Sequence, residues 1–275
     1  MTAPERGQQN AEFAPRARAL LATCVAAAVR ASDEIRKRTP GRGDLAWEQK
    51  GAMDFVTEVD RAAESAIATI VRDRHPDATM LAEEGSPEAA IHRGLVFVID
   101  PLDGTTNFLH GFPWYAVSIA AMVDGETLAG VILNVATGEL FTATAGGGAR
   151  RAGEAIAVST IDDPTRALIG TGMPFKDPDH VDDYLRVLPK IMKGCAGVRR
   201  PGSAALDLAD VACGRFDGFW ESRLAPWDIA AGILLVREAG GIVTDHDGTP
   251  ATVQHMPIVA GNPAMHGWLL EQLTG

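Results

Sequence analysis

Cysteine is scarce: Cys24, Cys195 and Cys213 are the whole complement, odd in number and without metal-ligand spacing. That excludes a disulfide scaffold and a thiolate metal centre, and fits free thiols in a reducing compartment. Basic charge is short as well. With 25 Lys and Arg against 36 Asp and Glu, the formal net charge is −11, which argues against nucleic acid as a partner, because phosphate contacts need clustered cations. No stretch reaches the ~20 apolar residues of a membrane span, so no membrane association is expected and the chain is expected in the cytoplasm. Internal repeats and low-complexity tracts are lacking too. Arg16 and Arg18 before the apolar run Ala19–Val29 look superficially like a secretion signal. However, Glu5 and Glu12 stand in the would-be basic region, and the run leads straight into Arg30, Asp33, Glu34, Arg36, Lys37 and Arg38. An amphipathic first helix is the better reading.

What is present is an ordinary globular composition over 275 residues, 46% apolar and 22% charged, enough for a sizeable core. Residues 1–12 are polar and unpatterned and read as a flexible N-terminus. Helical spacing runs from about Phe13 to Arg36 and again from Arg61 to Arg72, where His75-Pro76 ends it; Asp60 is placed to cap this second helix. From Ala78 to Val158 short apolar runs are separated by tight turns such as Asp124-Gly125-Glu126, the pattern of hairpins and an antiparallel sheet, with Gly146–Gly148 a loop. Beyond Ser159 strands and helices alternate, which favours a mixed or parallel sheet. The expected division is an N-terminal α+β subdomain over 13–158 and a C-terminal α/β subdomain over 159–275.

Chemistry concentrates in Val96-Phe97-Val98-Ile99-Asp100-Pro101-Leu102-Asp103-Gly104-Thr105-Thr106-Asn107-Phe108. An apolar strand delivers Asp100 to a sharp turn in which Pro101 lacks a backbone donor, Gly104 allows an unusual dihedral, and Thr105 supplies a hydroxyl. Two carboxylates this close repel unless a cation lies between them, and an oxygen donor set selects a hard ion such as Mg²⁺. The same turn is also compatible with aspartates that only satisfy backbone amides. Glu83-Glu84, after Met80-Leu81-Ala82, reads alone as a solvated turn. Asp228, in Pro226-Trp227-Asp228-Ile229-Ala230-Ala231-Gly232, reads alone as a helix cap.

Taken together and in this order, these segments resemble the inositol monophosphatase family. Asp100–Phe108 is similar to its D-P-hydrophobic-D-G-T-T-N-F motif, Trp227–Gly232 to its W-D-x-A-A-G, and Asp54–Asp60 to its D-x-V-T-x-x-D. Gly202-Ser203-Ala204-Ala205 and Phe219-Trp220-Glu221 also match. One departure is Ala82 where the family usually has Gly, with Gly85 following the two glutamates. The resemblance implies a layered αβαβα sugar-phosphatase fold of the α+β class, its first sheet antiparallel and its second mixed. It also implies two to three Mg²⁺ per site. Glu83, Asp100 and the Leu102 carbonyl would hold the first ion, Asp100, Asp103 and Asp228 the second, and Glu83 with waters a weaker third. Glu83 and Thr105 would position and deprotonate the attacking water, and Asp60 would orient Thr105.

By the same resemblance Asp103, Gly202, Ser203, Ala204, Glu221 and Asp228 line the alcohol pocket. The amides of Gly104 and Thr105 are placed to hold phosphate oxygens. Arg199 and Arg200 read as a solvated pair that is also within reach of phosphate; His110, Trp114 and Trp220 read as structural groups. The implied activity is hydrolysis of myo-inositol monophosphate or a similar polyol phosphate, by direct attack of water, in a homodimer. The rivals are histidinol phosphate as substrate and a non-catalytic role as a partner in transcription complexes.

Overall fold

A computed structural model of the chain describes residues 3–40, 48–51, 54–175, 178–254 and 256–274; for 3–13, 49–51, 54–56 and 178 it covers the backbone alone, so the Asp54 side chain lies outside it. Helix α1 (Ala3–Arg38) begins well before Phe13. It buries Ala17, Leu20, Cys24, Ala27, Ala28, Ala31 and Ile35, one stripe at spacings of three and four. A short antiparallel hairpin, β1 (Glu48–Gly51) and β2 (Asp54–Val56), leads into α2 (Glu58–Arg74). Val59, Ala63, Ile67 and Val71 form the inner stripe of α2, and the helix stops at His75, where Pro76 cannot continue it.

Seven strands follow in sequential order in one sheet: β3 (Thr79–Ala82), β4 (Leu95–Asp103), β5 (Ala116–Val123), β6 (Glu126–Asn134), β7 (Leu140–Thr144), β8 (Gly148–Arg151) and β9 (Glu154–Ala155). All neighbours are antiparallel except β3 and β4, which run parallel. Helix α3 (Thr105–His110) fills the connection after β4 that read as a turn, and β8 begins at Gly148, inside the segment that read as a loop. The second sheet comprises β10 (Leu168–Thr171), β11 (Gly197–Arg199), β12 (Gly218–Leu224), β13 (Ile242–Thr244) and β14 (Met256–Gly261). It is ordered β11-β10-β12-β14-β13, parallel on its first three strands and antiparallel on the rest. Helices α4 (Val181–Gly194), α5 (Ala204–Ala212), α6 (Pro226–Glu238) and α7 (Pro263–Thr274) complete the chain.

The period of two along the strands builds the layers. On the first sheet Phe97, Ile99, Val117, Ile119 and Val131 pack under α1 and α2, while Val96, Val98, Ala120, Met122 and Ile132 pack against α5 and α6. On the second sheet Phe219, Ile258 and Ala260 face the same α5–α6 layer, and Ile169, Trp220 and Val259 face Ile191 of α4 and Met265 and Leu269 of α7. The result is the αβαβα stack. Its middle helices are covered on both sides, so α5 is buried at every position and shows no polar face.

Helix α6 approaches the first sheet at Gly130 on β6, where an added Cβ would lie 3.2 Å from Ala231 Cα and 3.3 Å from its Cβ. Gly130→Val is therefore expected to destabilise the fold by about 1–3 kcal/mol through overpacking, read as a lower urea midpoint at unchanged slope. An unchanged midpoint would mean that α6 is not held this closely.

Candidate active site and metal centre

In a regular strand, residues three apart point to opposite faces. On β4, Asp100 stands opposite Ser118 and Asp103 opposite Ala116, so three steps on one strand match two on the other. The bulge falls between Asp100 and Asp103, a stretch that holds Pro101, which has no N–H to give to a ladder, and it turns both carboxylates to one side. Asp100 is buried, with Oδ1 accepting the Leu102 N–H at 2.9 Å. Asp228 arrives from the first turn of α6, its Oδ2 accepting the Ala225 N–H at 2.7 Å. One oxygen from each of Asp100, Asp103 and Asp228 lies within 4.8 Å of the other two.

If all three were ionised, each pair would repel by roughly 3–4 kcal/mol at an effective dielectric of about 20. Burial first, then the charges of Glu83, Asp103 and Asp228, push the Asp100 carboxyl well above the ordinary aspartate range. A buried all-oxygen set that must either hold a proton or share a cation is the donor chemistry of a hard divalent ion. The residues thus fit Mg²⁺.

The Asp103 carboxylate is fixed from the second half of the chain. Its Oδ2 accepts Ser203 Oγ at 2.6 Å and the Ala205 N–H at 2.8 Å, which ties the end of β4 to the start of α5. Gly104 has φ of 93° and no room for a side chain, since a Cβ would fall 2.9 Å from the Trp114 carbonyl. Asn107 spans the same gap: its Nδ2 donates to the carbonyls of Trp114 at 2.7 Å and Pro201 at 2.9 Å. Gly202, with φ of 96°, and the buried Ser203 and Ala204 follow directly.

Thr105 Oγ1 lies 2.9 Å from Asp60 Oδ1 and 3.0 Å from the Leu102 carbonyl. It has one proton, and the carboxylate is the stronger acceptor. Asp60 is itself buried and held by Thr57, whose N–H and Oγ1 donate to Oδ2 at 2.8 and 2.6 Å. The helix cap is Thr57 rather than Asp60, its Oγ1 accepting the Val59 N–H. Asp60 sits in the first turn of α2, which leaves Oδ1 for Thr105. Burial raises the Asp60 pKa, against the bonds from Thr57 and Thr105.

Glu83 stands outside the three-oxygen group, yet it exerts the strongest of the charge effects on Asp100. Its N–H continues the β3–β4 pairing to the Ile99 carbonyl at 3.3 Å. At Gly85 the Glu64 carboxylate occupies the place of a side chain, and Glu64 Oε2 accepts the Glu84 N–H at 2.9 Å. Glu221 lies over Gly172, leaving no space for a side chain there, and its charge acts on Asp207 and Tyr184. Arg199 is exposed and donates to the Val198 carbonyl, while Arg200 stacks 4.8 Å over the ring of Phe175. His110 is exposed, and Trp220 is a core residue stacked on Tyr184.

Two acids escaped the sequence reading. Glu64 is one. The other is Asp207, buried in α5; its signal was a charged residue inside the apolar run Ala204–Ala212.

A group whose folded pKa is raised destabilises the fold progressively as pH rises above its unfolded value. Without divalent cations, Asp100→Asn, which keeps the acceptor for Leu102, should be more stable to urea than the parent at about pH 8 and equal to it at about pH 4. Saturating Mg²⁺ should reverse the order at the higher pH. A variant less stable than the parent throughout would contradict the crowding of charge.

Comparison with known proteins agrees with this geometry. The family model for the inositol monophosphatase family matches residues 17–274. The Nus factor SuhB of Escherichia coli (strain K12) is 45% identical over 244 residues, 89% of this chain and 91% of that protein. The inositol-1-monophosphatase of Mesorhizobium japonicum is 44% identical over 260 residues, 92% of this chain and 95% of that one. The crystal structure of the extragenic suppressor protein suhB from Bartonella henselae superposes with a TM-score of 0.88 at 41% identity, covering 93% of this chain and 98% of that one. With the family model matched over residues 17–274 and relatives of 41–45% identity covered over nearly their whole length, the chain belongs to the inositol monophosphatase family.

Proposed function

We propose that the chain is a Mg²⁺-dependent phosphomonoesterase that hydrolyses myo-inositol monophosphate or a similar polyol phosphate. The observation that carries this reading is the convergence of Asp100, Asp103 and Asp228. Glu83, Asp100 and the Leu102 carbonyl would hold one ion, Asp100, Asp103 and Asp228 a second, and Glu83 contributes to a third. Bound there, Mg²⁺ lowers the pKa of a water towards neutrality and offsets charge on the departing oxygen.

The chain's own groups do the rest. The Thr105 hydroxyl donates a hydrogen bond to Asp60 Oδ1 at 2.9 Å and so turns its lone pairs to the attacking water. Glu83 accepts the proton that this water loses. The amides of Gly104 and Thr105 bind phosphate oxygens, helped by the positive start of α3. On the far side Ser203, Ala204 and Glu221 bound the space for the alcohol, with Glu221 as acceptor for its hydroxyl groups. Water oxygen bonds to phosphorus as the ester oxygen leaves in line with it, so no covalent enzyme intermediate is needed and none of the site's residues serves as a nucleophile. The homodimer and the cytoplasmic location belong to the same proposal and rest on family resemblance.

A second reading is favoured by the 45% identity to a Nus factor: a protein partner in transcription complexes, independent of turnover. Histidinol phosphate is the rival substrate for the same chemistry. A kcat/KM panel over myo-inositol monophosphate, histidinol phosphate, a nucleoside 3′-phosphate and fructose bisphosphate should favour the first; preference for the second would replace the substrate and leave the mechanism. Asp100→Asn should lower kcat by at least about a thousandfold, and EDTA should abolish turnover. A cellular phenotype that survives Asp100→Asn would support the partner role. Thr105→Ser should keep most of the activity and Thr105→Ala lose about a hundredfold; equal losses would remove the hydroxyl from the mechanism.

A further inference from the structure

Asp207 has no part in the scheme above, yet it is among the most thoroughly buried charged side chains of the protein, 1% exposed in the first turns of α5. Its Oδ1 and the Trp114 indole Nε1 are both buried, and neither has a hydrogen-bond partner among the described residues. Burial, and after it the charges of Glu221, Asp103 and Asp210, push the Asp207 carboxyl well up; the indole N–H of Trp114 acts on it in the opposite sense. A buried acceptor and a buried donor are each costly to leave unmatched, and the influence of this N–H on this carboxyl makes the two natural partners.

A contact between the two side chains would close a ring whose other links are in place. The Trp114 carbonyl accepts Asn107 Nδ2 at 2.7 Å, and the same nitrogen donates to the Pro201 carbonyl at 2.9 Å. Two residues on, the Ser203 carbonyl accepts the Asp207 N–H at 2.9 Å, while Ser203 Oγ holds Asp103. The ring joins the Gly104–Asn107 turn, proposed above to bind phosphate, to α5, proposed above to bound the alcohol.

We infer that Asp207 is a positioning residue which, through the indole of Trp114, sets the distance between the phosphate turn and the alcohol wall of the pocket. The inference rests on the phosphatase reading for its effect on turnover, but not for the contact itself. A misplaced wall affects an ester whose alcohol is gripped on several sides far more than one whose leaving group protrudes into water.

Three variants test it: Asp207→Asn, which keeps an acceptor for the indole; Asp207→Leu, which does not; and Trp114→Phe, which removes the N–H and keeps a ring. Hydrogen exchange at the Trp114 indole, assigned by its loss in Trp114→Phe, should keep its protection in Asp207→Asn and lose at least about tenfold in Asp207→Leu. With myo-inositol monophosphate, Asp207→Leu and Trp114→Phe should raise KM by about tenfold with kcat changed less, and Asp207→Asn should restore it. With p-nitrophenyl phosphate all three should stay close to the parent. Unchanged indole exchange in Asp207→Leu, or equal losses with both esters, would overturn the inference. Absence of turnover in the parent chain would instead overturn the proposed function, and the exchange result would still decide whether the contact exists.

Discussion

Three carboxylate oxygens held within 4.8 Å of each other are the constraint on which the rest of this structure depends. Nothing in a polypeptide brings like charges together spontaneously, so each must be fixed by groups that have no freedom to relax. Asp103 is held by two donors from α5, Asp228 by an amide at the start of its own helix, and Asp100 by an amide two residues ahead. In each case one oxygen is committed to the protein. The arrangement is that of ligands set in advance, so a cation entering the site meets a geometry already built.

The same logic explains why the protein has five layers. Asp100 and Asp103 end a strand of the first sheet, while Asp228 opens a helix that lies between the two sheets. Helix α6 reaches the first sheet only because β6 carries Gly130 beneath Ala231, and it is held down by Ile229, Ile233, Leu235 and Val236, all buried. Asn107 and Ser203 then stitch the two halves across the site. A cavity between layers is where a small ligand can be surrounded without exposing the core.

Much of this was legible in the sequence, and the exceptions have physical reasons. Asp100 and Asp103 stood out because charged residues at the end of an apolar run are conspicuous, Asp228 read alone as a helix cap and was singled out only by the family resemblance, and the alternation of apolar residues fixed most strands. The bulge that aims the first two was written only as Pro101, whose effect depends on the partner strand. Helix α3 was hidden because Thr105 and Thr106 are poor helix formers flanked by Gly104 and Gly111, which read as turn residues. Strand β8 was hidden by the glycines before it. The structure corrected the role of Asp60 at the helix start, since a capping residue and its partner in the first turn have the same composition and differ only in backbone geometry. Asp207 showed only as a charge inside an apolar run, and Glu64 gave no local signal, because its partner, the Glu84 amide, is distant in sequence.

The energetic question is why such a site does not unfold its own surroundings. Each ionised pair repels by roughly 3–4 kcal/mol, but the total is capped, because the raised pKa of Asp100 favours its protonated form when no cation is present. Against this stands the burial of four large aliphatic side chains on α6 alone, each worth about 1.5–3 kcal/mol as an upper estimate. The apolar term exceeds the capped electrostatic one, so the helix that delivers Asp228 stays seated whether the site holds a proton or an ion. The exchange of one for the other then becomes a local event at Asp100, and the layers around it can remain rigid while the chemistry proceeds.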